Sequence, residues 1–373
     1  MAIYKLFPES DTFLFTEDVL GNAGLDEIIE IGGYPIQQLG MTSRAMVKFN
    51  TSEIQSVIDN KVGALPFTAS INMYLASAYE LPTSYSIEAY PVYESYINGT
   101  GKFGDLPVDT SGTSWAYKDG YTVNTFWQTP DNVVNLPAGV TSSYAPGYVG
   151  GGNWLTGSNG IDLKATQQHT MNSGHDINID VTPAVNLHYS SSIENNGFIL
   201  KLTDDLEFNT TSAIRLKYYG GDTNTIYPPS LEIKWDDSVF APGDLASLNT
   251  SQAVIDISNN KGKYVNEGKQ RFRIHARPQH PVRTFTTGSA YKTNYALPSA
   301  TYYGIKDEFT EEMVTPFDKS FTKVSCDANG PYFDVYMDGL QPERYYRVLV
   351  KTTLDGSTVV VDSDNTFKVV RNG

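Results

Sequence analysis

Apolar and polar residues alternate in short runs along most of the chain, a period of two that predicts half-buried β-strands. Such runs stand at 11–15, 44–49, 69–75, 86–93, 178–181, 197–201 and 230–235. A second series follows at 270–277, 332–337, 346–351 and 366–370. Turn residues separate the runs, and the pattern predicts an all-β chain. One early segment has the helical period instead. Over 52–60 the apolar residues are Ile54, Val57 and Ile58, with Ser52 and Gln55 spaced as a capping box and Gly63 placed to end the helix. The stretch 98–160 is rich in Gly, Ser, Thr and Asn and holds Trp115, Trp127 and Trp154. It is too long for an ordinary loop, so short strands within ordered excursions are expected there.

Turn signals also mark the domain plan. Pro228-Pro229 opens the last strand of the first series, and Asp236-Asp237-Ser238 and Ala241-Pro242-Gly243-Asp244 read as exit and linker. The expected organisation is one β domain over 1–237, a linker over 238–260 and a second β domain over 261–373.

Composition narrows the classes. Forty-two acidic residues against 27 basic ones give a formal charge of −15 over 373 residues, which repels phosphate and argues against nucleic acid as a partner. Twenty-five Tyr, more than Phe and Trp together, suit pleated surfaces and interfaces with one wet side. No apolar run reaches the length of a membrane-spanning helix, so membrane insertion is not expected. Residues 1–8 lack the apolar core of a signal peptide, and the single cysteine, Cys326, excludes an internal disulfide framework. These features fit a chain made in a reducing cytosol, with Cys326 expected to be buried in the second sandwich.

Several pieces of the first 235 residues carry a family resemblance. They are Asp11-Thr12-Phe13-Leu14, Asn22-Ala23-Gly24 with Glu30-Ile31-Gly32, and Arg44-Ala45-Met46-Val47-Lys48-Phe49 followed by Ser52-Glu53-Ile54. Ile179-Asp180-Val181-Thr182-Pro183, Asn196-Gly197-Phe198-Ile199-Leu200-Lys201 and Tyr227-Pro228-Pro229-Ser230-Leu231 close the series. In order and spacing they resemble a DNRLRE-type domain, and the long middle does not match. The resemblance implies a jelly-roll-like β-sandwich. Such domains occur as presumed carbohydrate-binding modules of secreted proteins and in phage virion proteins. The opening of this chain looks more like structural proteins of T4-like marine bacteriophages.

In the second domain, Leu340, Pro342 and Tyr346 lead into a strand with Val348 and Val350 on one face. This resembles the tyrosine corner of fibronectin type III and related sandwiches, where the Tyr hydroxyl bonds back to the upstream backbone. Arg344 stands where those domains usually carry Thr, and no Trp follows Trp235. The expectation is therefore an Ig-like sandwich rather than a fibronectin domain proper.

Candidate chemistry is sparse. No nucleophile elbow, phosphate loop or zinc motif is visible, and no cofactor or metal is expected. His169 and His175 read as polar loop histidines. Asp176-Ile177-Asn178-Ile179-Asp180 reads as a strand with one polar face rather than a calcium loop. Asp204-Asp205 is the kind of acidic pair that glycoside hydrolysis uses, but 42 acids supply such pairs by chance, and no enzymatic activity is expected. Trp115, Trp127 and Trp154, with Tyr117, Tyr121 and Tyr148, either form a sugar-stacking platform or fill a core.

One charge feature rises above the background. Between Lys261 and Arg283 seven basic residues stand against Glu267 alone. On a strand, Arg271, Arg273, His275 and Arg277 share one face, either as a solvated edge or as a docking stripe for an acidic neighbour. The expected function is that of a bacteriophage virion structural protein in the tail, baseplate or neck, made in the host cytoplasm. Its expected partners are other virion proteins and copies of itself. The alternative is a carbohydrate-binding module for a host-surface glycan.

Overall fold

A computed structural model describes residues 2–36, 39–120, 125–130, 132, 135–143, 149–209, 213–282 and 290–371. The chain is all-β and divides into two compact units, one of residues 6–61 and 68–232, the other of residues 1–5, 62–67 and 233–373.

The first unit is a jelly-roll-like sandwich dominated by one large, curled antiparallel sheet. Its strands run in the order Ala165–Thr170, Ser84–Pro91, Phe198–Leu202, Leu39–Lys48, Ile28–Ile36, Ile214–Tyr219 and Leu75–Tyr79, and Ser10–Phe15 also pairs with Leu39–Lys48. A smaller sheet includes Phe67–Met73 and Ile177–Asp180. Sheets wet on one face alternate cleanly, but the central strands here are buried throughout: Ala45, Met46, Val47, Phe198, Ile199 and Leu200 all lie in the interior. The cause is that the large sheet is covered on both faces. Ala45, Val47, Phe198, Leu200 and Ala89 point one way along the pleat, and Met46, Ile199 and Tyr90 point the other. The second set packs with Leu14, Val92, Trp115, Trp127 and Trp154, so the tryptophan-rich excursion roofs the outer face of the sheet. Its secondary structure consists of pieces such as Tyr117–Asp119, Val140–Thr141 and Trp154–Leu155, the short strands the composition predicted.

Asn22 stitches the excursion down. Its side-chain nitrogen donates to the carbonyls of Asn98 and Thr113, and its oxygen accepts from the amides of Gly24 and Gly101. All four bonds are made in the interior, where an unpaired amide would cost about 1–3 kcal/mol.

The early helix is present as Thr51–Val57 and continues as one π-helical stretch, Ile58–Val62, before Gly63 ends it at φ +64°. Its cap differs from the expectation. Asn50, in extended conformation, accepts from the amides of Ser52 and Glu53, so Ser52 lies inside the helix and the Ser52–Gln55 capping box does not form.

The second unit contains an Ig-like sandwich, strand by strand. One sheet has the order Ala253–Ile257, Lys269–Pro278, Gly330–Tyr336, Ser325–Asp327, which is A-B-E-D. The other has the order Lys263–Val265, Ser357–Val370, Tyr345–Leu354, Tyr302–Asp307, Met313–Thr315, which is A′-G-F-C-C′ with the first pair parallel. The expected linker over 238–260 is therefore too long. Residues 253–257 are the first sandwich strand, with Ile255 and Ile257 buried in its core. The tyrosine corner forms as its sequence predicts: Leu340 and Tyr346 are buried, Pro342 is half-buried beside them, and the Tyr346 hydroxyl donates to the Gln341 carbonyl at 2.9 Å. The Trp that such sandwiches carry on strand C is replaced by Tyr303, which is buried and stacked on Phe333 with centroids 4.3 Å apart. Cys326 is buried on the D strand, where desolvation, helped by the neighbouring Asp327, pushes its thiol up to about 11.

Candidate functional site

The outer face of the large sheet carries charge as well as tryptophan. Leu14 stands opposite Arg44, Ile199 opposite Met46 and Tyr90, and Lys201 opposite Glu88. Arg44 is fully buried and its guanidinium meets Glu207 through two bonds, at 2.6 and 3.1 Å. It also donates to the Gly151 and Ser143 carbonyls and lies over the ring of Trp115 at 4.8 Å. Gly151 is required there. Its φ is +86°, and a Cβ would come within 2.6 Å of the guanidinium and 2.7 Å of Trp115.

Lys201, also buried, donates to Asp204 at 2.6 Å and to the Leu202 carbonyl at 2.9 Å. Its ammonium sits 3.2 Å from Glu207 and 3.9 Å from Glu88. Arg44, Lys201 and Glu207 thus share one buried layer beneath the excursion, each held by several partners, the condition on which buried charge is tolerated, and Asp204 meets Lys201 from the exposed side.

Above this layer opens a polar cleft of about 310 Å³. Tyr90 and Trp154 form part of its wall, with ring centroids 5.7 Å apart. Glu88 lies in it, bonded to the Tyr90 hydroxyl at 3.0 Å and to Lys164 at 2.5 Å. Hydroxyls come from Thr141, Ser142, Ser143 and Thr156, and Asp205 stands on the rim with no ion-pair partner among the described residues. The buried hydroxyl oxygen of Ser142 has no hydrogen-bond partner among the described residues.

The three tryptophans of the predicted platform come together, but not as an exposed surface. Trp115 and Trp127 are fully buried, and the indole N–H of Trp127 donates to the Ser114 carbonyl at 3.0 Å. They fill the core, as one of the two sequence readings held, and only Trp154 reaches a cleft. Tyr121 and Tyr148 lie outside the described residues.

The arginine stripe is present on strand Lys269–Pro278, with Phe272, Ile274 and Ala276 buried on its other face. Two of its four residues, Arg271 and Arg273, pair with carboxylates within the sandwich. Arg271 grips Asp334 through two bonds at 2.8 and 3.0 Å, and Arg273 grips Asp327 at 3.0 and 2.8 Å. Arg277 lies over Tyr291 and donates to the Pro278 carbonyl, and His275 bonds the Tyr291 carbonyl. Hydrogen bonding from these arginines holds the carboxyls of Asp327 and, against its burial, Asp334 below the usual range. Arg283 lies outside the described residues.

One of the two histidine expectations changes, that for His169, while His175 lies in the loop before strand Ile177–Asp180. His169 is not a loop residue but a buried one on strand Ala165–Thr170, stacked on Tyr85 at 4.9 Å. His175 bonds the Tyr85 hydroxyl at 2.9 Å. Residues 177–180 do form a strand, Ile177 and Ile179 inward, Asn178 and Asp180 outward.

No family model matches the chain, and no curated protein matches it. Among solved structures, a DUF4785 family protein from Legionella pneumophila is similar at 9 % identity over 98 % of this chain, with a TM-score of 0.17. The chain spans 66 % of that protein's length, and a likeness at this level carries no functional argument.

Proposed function

We propose that the chain is a non-enzymatic bacteriophage virion structural protein, a subunit or accessory of tail, baseplate or neck that works through protein–protein interfaces. The phage side of this reading is supported by the resemblance of several segments of its first 235 residues to DNRLRE-type domains, and of its opening to structural proteins of T4-like marine bacteriophages. The observation that carries the interface side is an apolar groove of about 280 Å³ in the first unit, lined in part by Phe15, Phe103, Leu106 and Val108. Leu106 is 91 % exposed and Phe103 and Val108 are also open to solvent, a concentration of apolar surface that suits burial against another chain. The occupant in this reading is a second copy.

Light scattering on the purified chain at low and high salt tests it. The expected result is a defined oligomer that survives high salt, because the contact is apolar, and that Leu106→Asp disperses. A monomer under all conditions overturns self-assembly through the groove. Absence of the chain from purified phage particles, measured by mass spectrometry, overturns the virion assignment.

A second reading, attachment to a host-surface glycan, is favoured by the cleft beside Trp154, where aromatic rings, hydroxyls and carboxylates meet.

A further inference from the structure

We infer that the cleft bounded by Tyr90, Trp154 and Glu88 is a saccharide site that takes a neutral, hydroxyl-rich ring; this rests on the glycan-attachment reading. Size is the first argument. At about 310 Å³ the cleft lies at the small end of the roughly 300–1,000 Å³ range of ligand pockets, which suits one or two sugar rings rather than a peptide or a lipid.

Charge is the second. Arg44, Lys164 and Lys201 face Glu88, Asp204, Asp205 and Glu207, so the carboxylates slightly outnumber the cations and an anionic ligand gains nothing. A metal ion is disfavoured too, because lysines already occupy Glu88 and Asp204. What the lining offers is a mixture of acceptors and hydroxyls, the complement of a polyol, whose groups each donate and accept.

The third argument is an unmet bond. Among the described residues the hydroxyl of Ser142, a residue of the cleft wall, is buried without a partner, a condition that costs free energy until a bond is made. Rotation of the Ser142 side chain brings its hydroxyl into the cleft, where a sugar hydroxyl satisfies it, and Asp205, with no ion-pair partner among the described residues, supplies an acceptor on the rim for another. Because Arg44 fixes the Ser143 carbonyl at 2.7 Å, the Thr141–Ser143 wall is held before any ligand arrives.

The test uses the full chain on an array of neutral, sialylated and amino-sugar glycans, followed by calorimetric titration with maltotriose, cellotriose and mannotriose. Ser142→Ala and Asp205→Asn are the variants, since neither removes a bond that the fold uses. The expected result is binding of neutral glycans, weakened about fivefold by each variant, the loss of one hydrogen bond, with unchanged thermal midpoints. Neutral-glycan binding that both variants leave intact would place the ligand elsewhere and overturn the cleft while sparing the glycan reading. Preference for sialylated glycans overturns the ligand class. If no glycan binds, the glycan reading itself fails and takes the inference with it.

Discussion

Arg271 and Asp334 face each other across neighbouring strands of the Ig-like sandwich, and the guanidinium holds both carboxylate oxygens. A residue pair in direct register is satisfied by folding and needs no partner chain. Arg273 also holds both carboxylate oxygens of an acid, Asp327, but reaches it across the intervening strand Gly330–Tyr336, its own register partner being Tyr332. The arginine side chains remain 43 % and 28 % exposed, so solvent screens each pair to about 1 kcal/mol or less. Reversing both charges, Arg271→Glu with Arg273→Glu, therefore destabilises this unit by about 1–2 kcal/mol, through a like charge in register with Asp334 and a second one facing Asp327, and leaves the oligomeric state unchanged. Urea titration and light scattering on the same sample check both halves.

The buried pair of Arg44 and Glu207 behaves differently. Glu207→Gln leaves the guanidinium and Lys201 with too little negative charge in a dry layer, and the expected loss is about 3–5 kcal/mol. Arg44→Met alone is similarly costly. In the double variant Arg44→Met, Glu207→Gln the loss is smaller than the sum, which a double-mutant cycle in urea measures.

Tyr346→Phe removes one hydroxyl bond to the Gln341 carbonyl and keeps the ring. The cost is about 1–2 kcal/mol, seen as a lower denaturant midpoint at unchanged slope.

Asp11 and His188 give opposed pH dependences. Burial pushes the Asp11 carboxyl up from 3.8 to about 6, although the Gly221 amide bonds its anion. In the fold it keeps its proton through a window where the unfolded chain has lost it, so stability falls as pH rises from about 3.8 to about 6. His188 is pushed down by burial from 6.5 to about 4, so stability falls as pH drops through that window. Between pH 4 and 6 the two slopes offset each other. Asp11→Asn removes the first, so the variant is about 2–3 kcal/mol more stable than the parent at pH 7 and loses stability on acidification from 6.5 to 4. Denaturant midpoints at pH 4, 5, 6 and 7 decide it.

Strands that obey a simple period were legible in the sequence, and so was the tyrosine corner, because Leu340, Pro342 and Tyr346 carry their geometry locally. Strand Ile28–Ile36 was harder to read whole because Gly32, Gly33 and Pro35 interrupt it. Those glycines answer to tertiary contact: a Cβ on Gly33 would lie 2.4 Å from the Glu207 carbonyl. Strand Tyr302–Asp307 is interrupted in the same way, by Gly304 against Phe317 and Met313. At the cleft, Trp154 was visible as a candidate, whereas Lys201 and Glu88 were not, since pairing across strands is not written in either segment. The available signal was a lysine inside the apolar run 198–202, a charge that an all-buried strand tolerates only beside a carboxylate.

The tether from Arg44 to Ser143 and Gly151 separates two evolutionary roles within one cleft. Its frame is fixed from below, by residues whose replacement costs about 3–5 kcal/mol. Its rim includes exposed side chains such as Thr156 and Asp205, where substitution changes stability by only about 0.5 kcal/mol. The rim is therefore free to vary while the scaffold stays constant, so variation among relatives of this chain should concentrate at Thr156 and Asp205 and spare Arg44, Gly151 and Glu207.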